Sequence, residues 1–372
     1  MTLPPAPIAV RGWRPRAAGA ARRLLVVLLA PLLGACSALP YYSQAICGEW
    51  ALLRAARPVQ DWLADPATPA PLRQRLELAV QIRRFAAQEL GLPDNRSYTR
   101  YADLHRASAV WNVFATPALS LELKTWCYPV FGCAAYRGYF AQADARQLAD
   151  ALGAAGLDAT VAPVPAFSTL GWFADPLLST FVNWPEPELA RLVFHELAHQ
   201  VVYVRDDTRF NESFATAVER VGLQRWVRHR ADPVLDEQFR QYQSHHEGVL
   251  ALVAATRSQL QQLYASAQPD AQRLARKQEI FAGQLQRYAR LRDEHWQGYR
   301  GYDAFFLSPW NNARIAAMAA YQDDVPAFEA LLAQERGELP RFYEQVKALA
   351  ALAPQQRAAA LQALAPDVEH RL

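Results

Sequence analysis

Apolar residues recur at three- and four-residue spacing over Gly48–Ala56 and Pro71–Leu90, with Asp65-Pro66-Ala67-Thr68-Pro69 between them. This predicts two helices separated by a turn-rich break. From Val110 to Phe173 the pattern shortens. Trp111–Phe114, Leu119–Leu123 and Ala134–Phe140 are brief apolar and aromatic runs punctuated by Pro and Gly, the signature of strands. Asp144–Leu152 reads as a helix with Asp144 near its cap, and Ala159–Phe167 as an edge strand. Asn183-Trp184-Pro185-Glu186-Pro187-Glu188 is a stop followed by a start: prolines at a helix entry, acids in its first turn. Beyond Ala231-Asp232-Pro233 the chain turns to long helices, Asp236–Ala267 and Asp270–Trp296, broken at Gln268-Pro269 and expected to form an antiparallel structural hairpin. Gly298–Pro309 is aromatic and turn-rich, and Asn311–Tyr321 and Pro326–Leu332 read as further helices. The fold class expected is α+β and predominantly α-helical, with a small β-sheet and a long helical hairpin in the C-terminal half.

The helix that starts near Pro185 carries Leu192-Val193-Phe194-His195-Glu196-Leu197-Ala198-His199. Two histidines at i and i+4 stand one above the other on a helix, in position to grip one zinc ion. The intervening Glu196 is turned from the metal but can act as a general base on water. Positions 192, 193, 194, 197, 198 and 201 are apolar, so the polar triplet is set in a buried helix. A small sheet followed by such a helix is the zincin arrangement, in which an edge strand holds the substrate backbone. Zinc of this kind takes a third protein ligand. The metzincin spacing is excluded by Val202 and Arg205.

Asn211-Glu212-Ser213-Phe214-Ala215 resembles the Asn-Glu-x-x-Ala signature that supplies the glutamate ligand in gluzincin peptidases. Glu212 follows His199 by 13 residues, a shorter gap than is usual there. An αα-hairpin closes it if Glu188–Val204 is one helix, residues 205–210 a polar connection and Asn211 the cap of the next helix. Rivals to Glu212 are Asp206, Asp207 and Glu219, the last also able to orient a histidine.

A wider resemblance is carried by Tyr41-Tyr42-Ser43-Gln44-Ala45 with Gly48, Thr125-Trp126-Cys127-Tyr128-Pro129, Gly132-Cys133, Tyr136–Phe140, Gly171-Trp172-Phe173, Asp175-Pro176, His195–Gln200, Asn211–Ala215, Asn311-Asn312-Ala313 and Val325–Phe328. In this order they resemble the bacterial "predicted aminopeptidase" family of zinc-peptidase-like envelope proteins. The resemblance implies a zinc-dependent aminopeptidase; a metal-dependent endopeptidase and a non-hydrolytic zinc-fold lipoprotein are the alternatives. Zinc would be held by His195, His199 and Glu212, with Glu196 the catalytic base and a peptide the substrate. Tyr299, Tyr302, Tyr321 and His246 are candidates for a transition-state donor. Asp175 and Glu122 are candidates for an anchor of a substrate ammonium.

The first 35 residues hold five arginines and no acid, followed within them by the apolar run Leu24–Leu33 and then Gly34-Ala35-Cys36. This is a secretory leader too short to span a membrane. Its Leu-Gly-Ala-Cys ending resembles the bacterial lipobox, with Cys36 lipidated, and Ser37 resembles the sorting pattern for the outer membrane. Removing the leader takes 39 basic residues to 34 against 36 acidic, so a net charge of +3 becomes −2 and no nucleic-acid partner is implied. Export means an oxidising compartment. Cys127 and Cys133 flank a Pro-Val-Phe-Gly stretch able to turn the chain and are read as a disulfide, leaving Cys47 a free buried thiol. The chain thus divides into a removed signal peptide (1–35), an N-terminal helical segment (36–110), a zincin-like catalytic core (111–230) and a C-terminal helical region (231–372). Oligomeric state is not legible.

Overall fold

The computed structural model describes residues 41–128, 132–166, 169–320 and 322–365. The leader, Cys36 and Tyr321 lie outside them. Two compact units are present, the first ending at Trp50 and the second running from Ala51. In the first, residues 41–50 are helical and none is buried, so the free Cys47 is exposed rather than buried as expected. Every residue from 41 to 50 is at least partly exposed, so this stretch of helix offers no packed face in which to hide a thiol.

The second unit is predominantly helical with small sheets. Its strands are β1 Arg57–Pro58, β2 Arg100–Ala102, β3 Val110–Pro117, β4 Trp126–Tyr128, β5 Gly132–Ala134, β6 Arg137–Tyr139, β7 Leu157–Val164 and β8 Leu177–Leu178. They form the sheets β1-β2-β8, β6-β3-β7 and β4-β5. In the second of these, β3 runs antiparallel to both neighbours, with Val110 opposite Val164 and Trp111 opposite Tyr139. β7 is an edge strand, as the pattern predicts. Leu119–Leu123 is not a strand, because Pro117 ends β3 and the chain turns there, Ser120 N donating to Pro117 O at 3.2 Å. Ala134–Phe140 is divided by a bend at residues 135–136.

The β6-β3-β7 sheet packs against the helices Gln142–Ala154 and Asn312–Ala320. Polar contacts fix β7 to the second of these. Asp158 accepts from the Lys277 ammonium at 2.6 Å and from Asn312 N at 2.8 Å, and Asn311 Nδ2 donates to Ala159 O at 2.7 Å. The principal partners of the motif helix Glu186–Ala198 are other helices: Thr208–Arg230, Ala70–Glu89 and Pro233–Ala265.

One apolar core surrounds the motif helix. It joins Leu76, Ile82 and Phe85 of the Ala70–Glu89 helix to Leu189, Val193, Phe194 and Leu197, to Phe210, Phe214 and Trp226, and to Phe328, Phe342 and Val346 near the C-terminus. The predicted hairpin is present as Pro233–Ala265 and Asp270–Arg290, and its second arm continues into a π-helical turn, Leu291–His295. It has its own cluster, including Val253, Leu260, Phe281, Tyr288, Trp296 and Phe306. Helices Leu339–Ala350 and Pro354–Leu364 close the described chain. Among the described residues no helix is long and apolar enough to cross a membrane.

Candidate metal centre

The motif helix begins where its sequence signals lie: Pro185 caps it, Pro187 occupies its first turn, and Glu186 and Glu188 face the positive end of the helix dipole. It ends at Ala198, not at Val204 as the pattern suggests. The last turn tightens, with Gln200 N donating to Leu197 O at 3.1 Å and Val201 N to Ala198 O at 2.9 Å. Asn211 then fixes the connection. Its Oδ1 accepts from Val204 N and its Nδ2 donates to Val204 O, both at 2.7 Å, so its amide replaces the partners a helix would have supplied. Asn211 is therefore not the cap of the second helix. That role belongs to Asp207, whose carboxylate accepts from Phe210 N at 3.0 Å.

The second helix, Thr208–Arg230, returns antiparallel to the first. Trp226 Nε1 donates to Glu186 at 3.0 Å and Arg230 pairs with the same carboxylate at 2.9 Å, tying the end of one helix to the start of the other. Gly222 permits the close approach; a Cβ there would stand 2.9 Å from Phe194 and 2.8 Å from Leu90.

This hairpin brings His195, His199 and Glu212 together. His195 Nε2 lies 3.2 Å from His199 Nε2 and 3.3 Å from Glu212 Oε2, and His199 Nε2 lies 3.6 Å from the same oxygen. Donors at about 2.0–2.2 Å from a tetrahedral zinc are themselves about 3.3–3.6 Å apart, so the three atoms have the mutual spacing of one face of such a site. Both histidines are buried and Glu212 nearly so. This buried group could hold a metal ion, and two imidazoles with one carboxylate suit zinc.

Electrostatics favour a cation at this point. Burial opposes charge on His195, but its hydrogen bonds to Glu212 and Glu219 prevail and raise its pKa to about 10. Burial likewise opposes ionisation of Glu212, and the neighbouring His199 and His195 outweigh it, lowering its pKa to about 2.

Behind His195, Nδ1 donates to Glu219 at 2.9 Å, and Glu219 accepts from Arg191 Nη1 at 3.1 and 3.3 Å. Of the rivals to Glu212, Glu219 is thus the carboxylate that orients a histidine. Asp207 is engaged as the cap and with Arg357 at 2.8 Å. Asp206 accepts from Cys133 N, and a Cβ on Gly132 would strike the same carboxylate. Cys127 and Cys133 face each other across the β4-β5 pair and are joined by a disulfide, so a cross-linked hairpin braces the connection between the two site helices.

The model of a family described as "Putative aminopeptidase" matches residues 40–361. The chain belongs to this family. No curated protein and no solved structure matched.

Several residues proposed from sequence for this family member lie elsewhere. Asp175 is buried, and its carboxylate accepts from Thr169 N at 3.0 Å and Thr169 Oγ1 at 2.7 Å, so it caps a turn instead of offering an anchor for an ammonium. Glu122 is exposed in the irregular stretch after β3. His246 stacks on Tyr242 and with it lines a cavity of about 390 Å³ whose wall includes Arg191 and Glu219; Tyr302 feels Tyr242, Glu188 and Arg191. Both therefore stand on the side of Glu219, behind His195. Tyr299 is stacked on His245, with ring centroids 4.2 Å apart.

Sequence reasoning missed three residues of this aminopeptidase-family site. Arg191, four positions before His195, follows the same helical face and was open to detection by that spacing. Tyr203 is exposed yet feels the charge of Glu212. Tyr98 is buried near Glu196 and carries no local signal at all.

Proposed function

We propose that this chain is a zinc-dependent aminopeptidase, exported and lipid-anchored. The observation that carries the metal reading is the mutual spacing of the buried His195, His199 and Glu212 donor atoms beside a partly exposed Glu196. The preference for an aminopeptidase rests on the family. Zinc held there supplies Lewis acidity, which polarises a peptide carbonyl and makes water acidic enough to attack near neutral pH. His195, His199 and Glu212 are its ligands in this reading, and Glu219 fixes the tautomer and ring orientation of His195. Glu196 accepts the proton of the attacking water on its carboxylate and returns it to the departing amine nitrogen. The helical hairpin and its core hold these groups in register. The buried donor set is a zincin-like feature, although the sheet sits against other helices.

The leader ending in Cys36, the acidic balance of the mature chain and the Cys127–Cys133 bond all suit a lipoprotein of the outer membrane facing the periplasm, acting on peptides and not on nucleic acid.

The deciding experiment compares wild type with Glu196→Gln. The variant should keep about one zinc per chain and lose about a hundred- to ten-thousand-fold in hydrolysis of peptides with free N-termini. Acetylated peptides should resist both proteins. Internal cleavage indifferent to acetylation would make the enzyme an endopeptidase. Equal inertness of wild type and variant across a peptide library would remove the hydrolase reading.

A further inference from the structure

Gln200 stands four residues after Glu196, in the tightened turn just past the end of the motif helix. Its Oε1 accepts from Asn95 Nδ2 at 2.6 Å and its Nε2 donates to Ser97 Oγ at 3.2 Å. Arg83 holds the same segment from the other side, Nε donating to Ser97 O at 2.9 Å and Nη2 to Asp94 at 2.7 Å. Residues 94–97 are thus fixed at the C-terminal end of the motif helix, and Tyr98, which feels the charge of Glu196, follows directly.

Three features of Tyr98 are unusual together. Its φ is +60°, in the left-handed region that bulky side chains rarely adopt and that persists only where surroundings enforce it. The enforcing contact is visible: Tyr98 N donates to Asp175 O at 2.6 Å, and the Asp175 carboxylate is in turn held by Thr169. Second, the residue is only 2% exposed. Third, its buried hydroxyl has no hydrogen-bond partner among the described residues, although buried phenols ordinarily find one. Burial first, and then the charges of Glu196 and Asp175, push its pKa well up, so the group is a neutral donor. A fold that strains its backbone to hold an unsatisfied donor beside Glu196 is keeping that donor for something.

We propose that Tyr98 is a substrate-contacting residue whose hydroxyl donates a hydrogen bond to an oxygen of the peptide group lying against Glu196. This rests on the peptidase reading above. The bound peptide supplies the acceptor that the folded chain withholds.

Tyr98→Phe separates this role from a structural one. In the zinc-loaded protein the variant should retain its metal and melt at the wild-type temperature or above, since a buried hydroxyl without an acceptor has been removed. Its kcat/KM should fall about a hundredfold, the order found for loss of one preorganised donor. In the Glu196→Gln background, adding Tyr98→Phe should weaken calorimetric binding of the same unblocked peptide about tenfold. Wild-type kcat/KM in Tyr98→Phe, unchanged peptide affinity in the double variant, or a lowered melting temperature that accounts for the lost activity would each overturn the proposal. Where wild type is active and Glu196→Gln inactive, such a result counts against Tyr98 alone. Where both are inert, the peptidase reading fails and the role of Tyr98 falls with it.

Discussion

The two sides of the His195–His199–Glu212 cluster are built on opposite rules. On the side of His195 Nδ1 the charges are paired: Arg191 Nη1 holds Glu219 and Glu219 holds the imidazole, although Arg191 Nε is buried without a partner among the described residues. The side of Glu196 differs. The Glu196 carboxylate is partly exposed, and the Tyr98 hydroxyl is buried without a partner among the described residues. Paired charges fix orientation, whereas a buried neutral donor without an acceptor is tolerated where a ligand completes it. Under the proposed function, the first side would hold the site and the second would use it.

Removing a donor from the cluster itself should break both sides at once. His199→Ala or Glu212→Ala should reduce zinc from about one per chain to a small fraction and bring peptide hydrolysis to background, because two remaining donors hold a metal poorly. Elemental analysis after gel filtration measures this. Full occupancy in either variant would mean that the cluster is not the site, and loss of metal in Asp206→Ala would move the third ligand.

Glu219→Gln tests the holding side with a smaller effect. It keeps the shape but removes the charge that Arg191 and His195 share, so zinc affinity should fall about 10- to 100-fold, the range for a carboxylate that orients a ligating histidine. Chelator competition reads this directly. Saturating zinc should restore most of the activity, which it cannot do for Glu196→Gln. If saturating zinc fails to rescue Glu219→Gln, the division between holding and using is wrongly drawn.

The holding side was far more legible in the sequence than the using side. His195, Glu196 and His199 lie within one helical turn and a half, and Glu219 follows Glu212 by seven residues, two turns along the same face, so helical spacing alone related them. Arg191 obeys the same spacing. The end of the motif helix was misread because its fate depends on Asn211, a residue of the next helix that takes both backbone groups of Val204. The zincin sheet was expected beside the metal, but Asp158 joins it to Lys277 and Asn312, more than a hundred residues away in sequence. Tyr98 belongs to the same class of contact: it is brought to Glu196 by Gln200 and Asp175 across similar separations. Local period predicts what a helix places along its own face. It says nothing about which loop will be laid over that face.

The prediction furthest from the proposed chemistry concerns His246, in the cavity wall behind Glu219. Burial, reinforced by Arg191 and Arg220 and only partly offset by Glu219, lowers its pKa from 6.5 to about 4. Between those values the unfolded chain binds a proton that the folded chain refuses, so this group's contribution to stability is complete above pH 6.5 and is lost as pH falls toward 4. At 1.36 kcal/mol per unit the loss amounts to about 3 kcal/mol at its greatest. His246→Gln retains a polar side chain that does not titrate. The difference in unfolding free energy between variant and wild type should therefore change with pH across this window and be constant above it. Denaturant melts at pH 7.5, 6, 5 and 4.5 on the metal-free protein measure that difference without interference from zinc release. A difference independent of pH would mean that His246 takes up its proton as readily in the folded protein as in the unfolded chain, and its surroundings behind Glu219 would then be wetter than its burial implies.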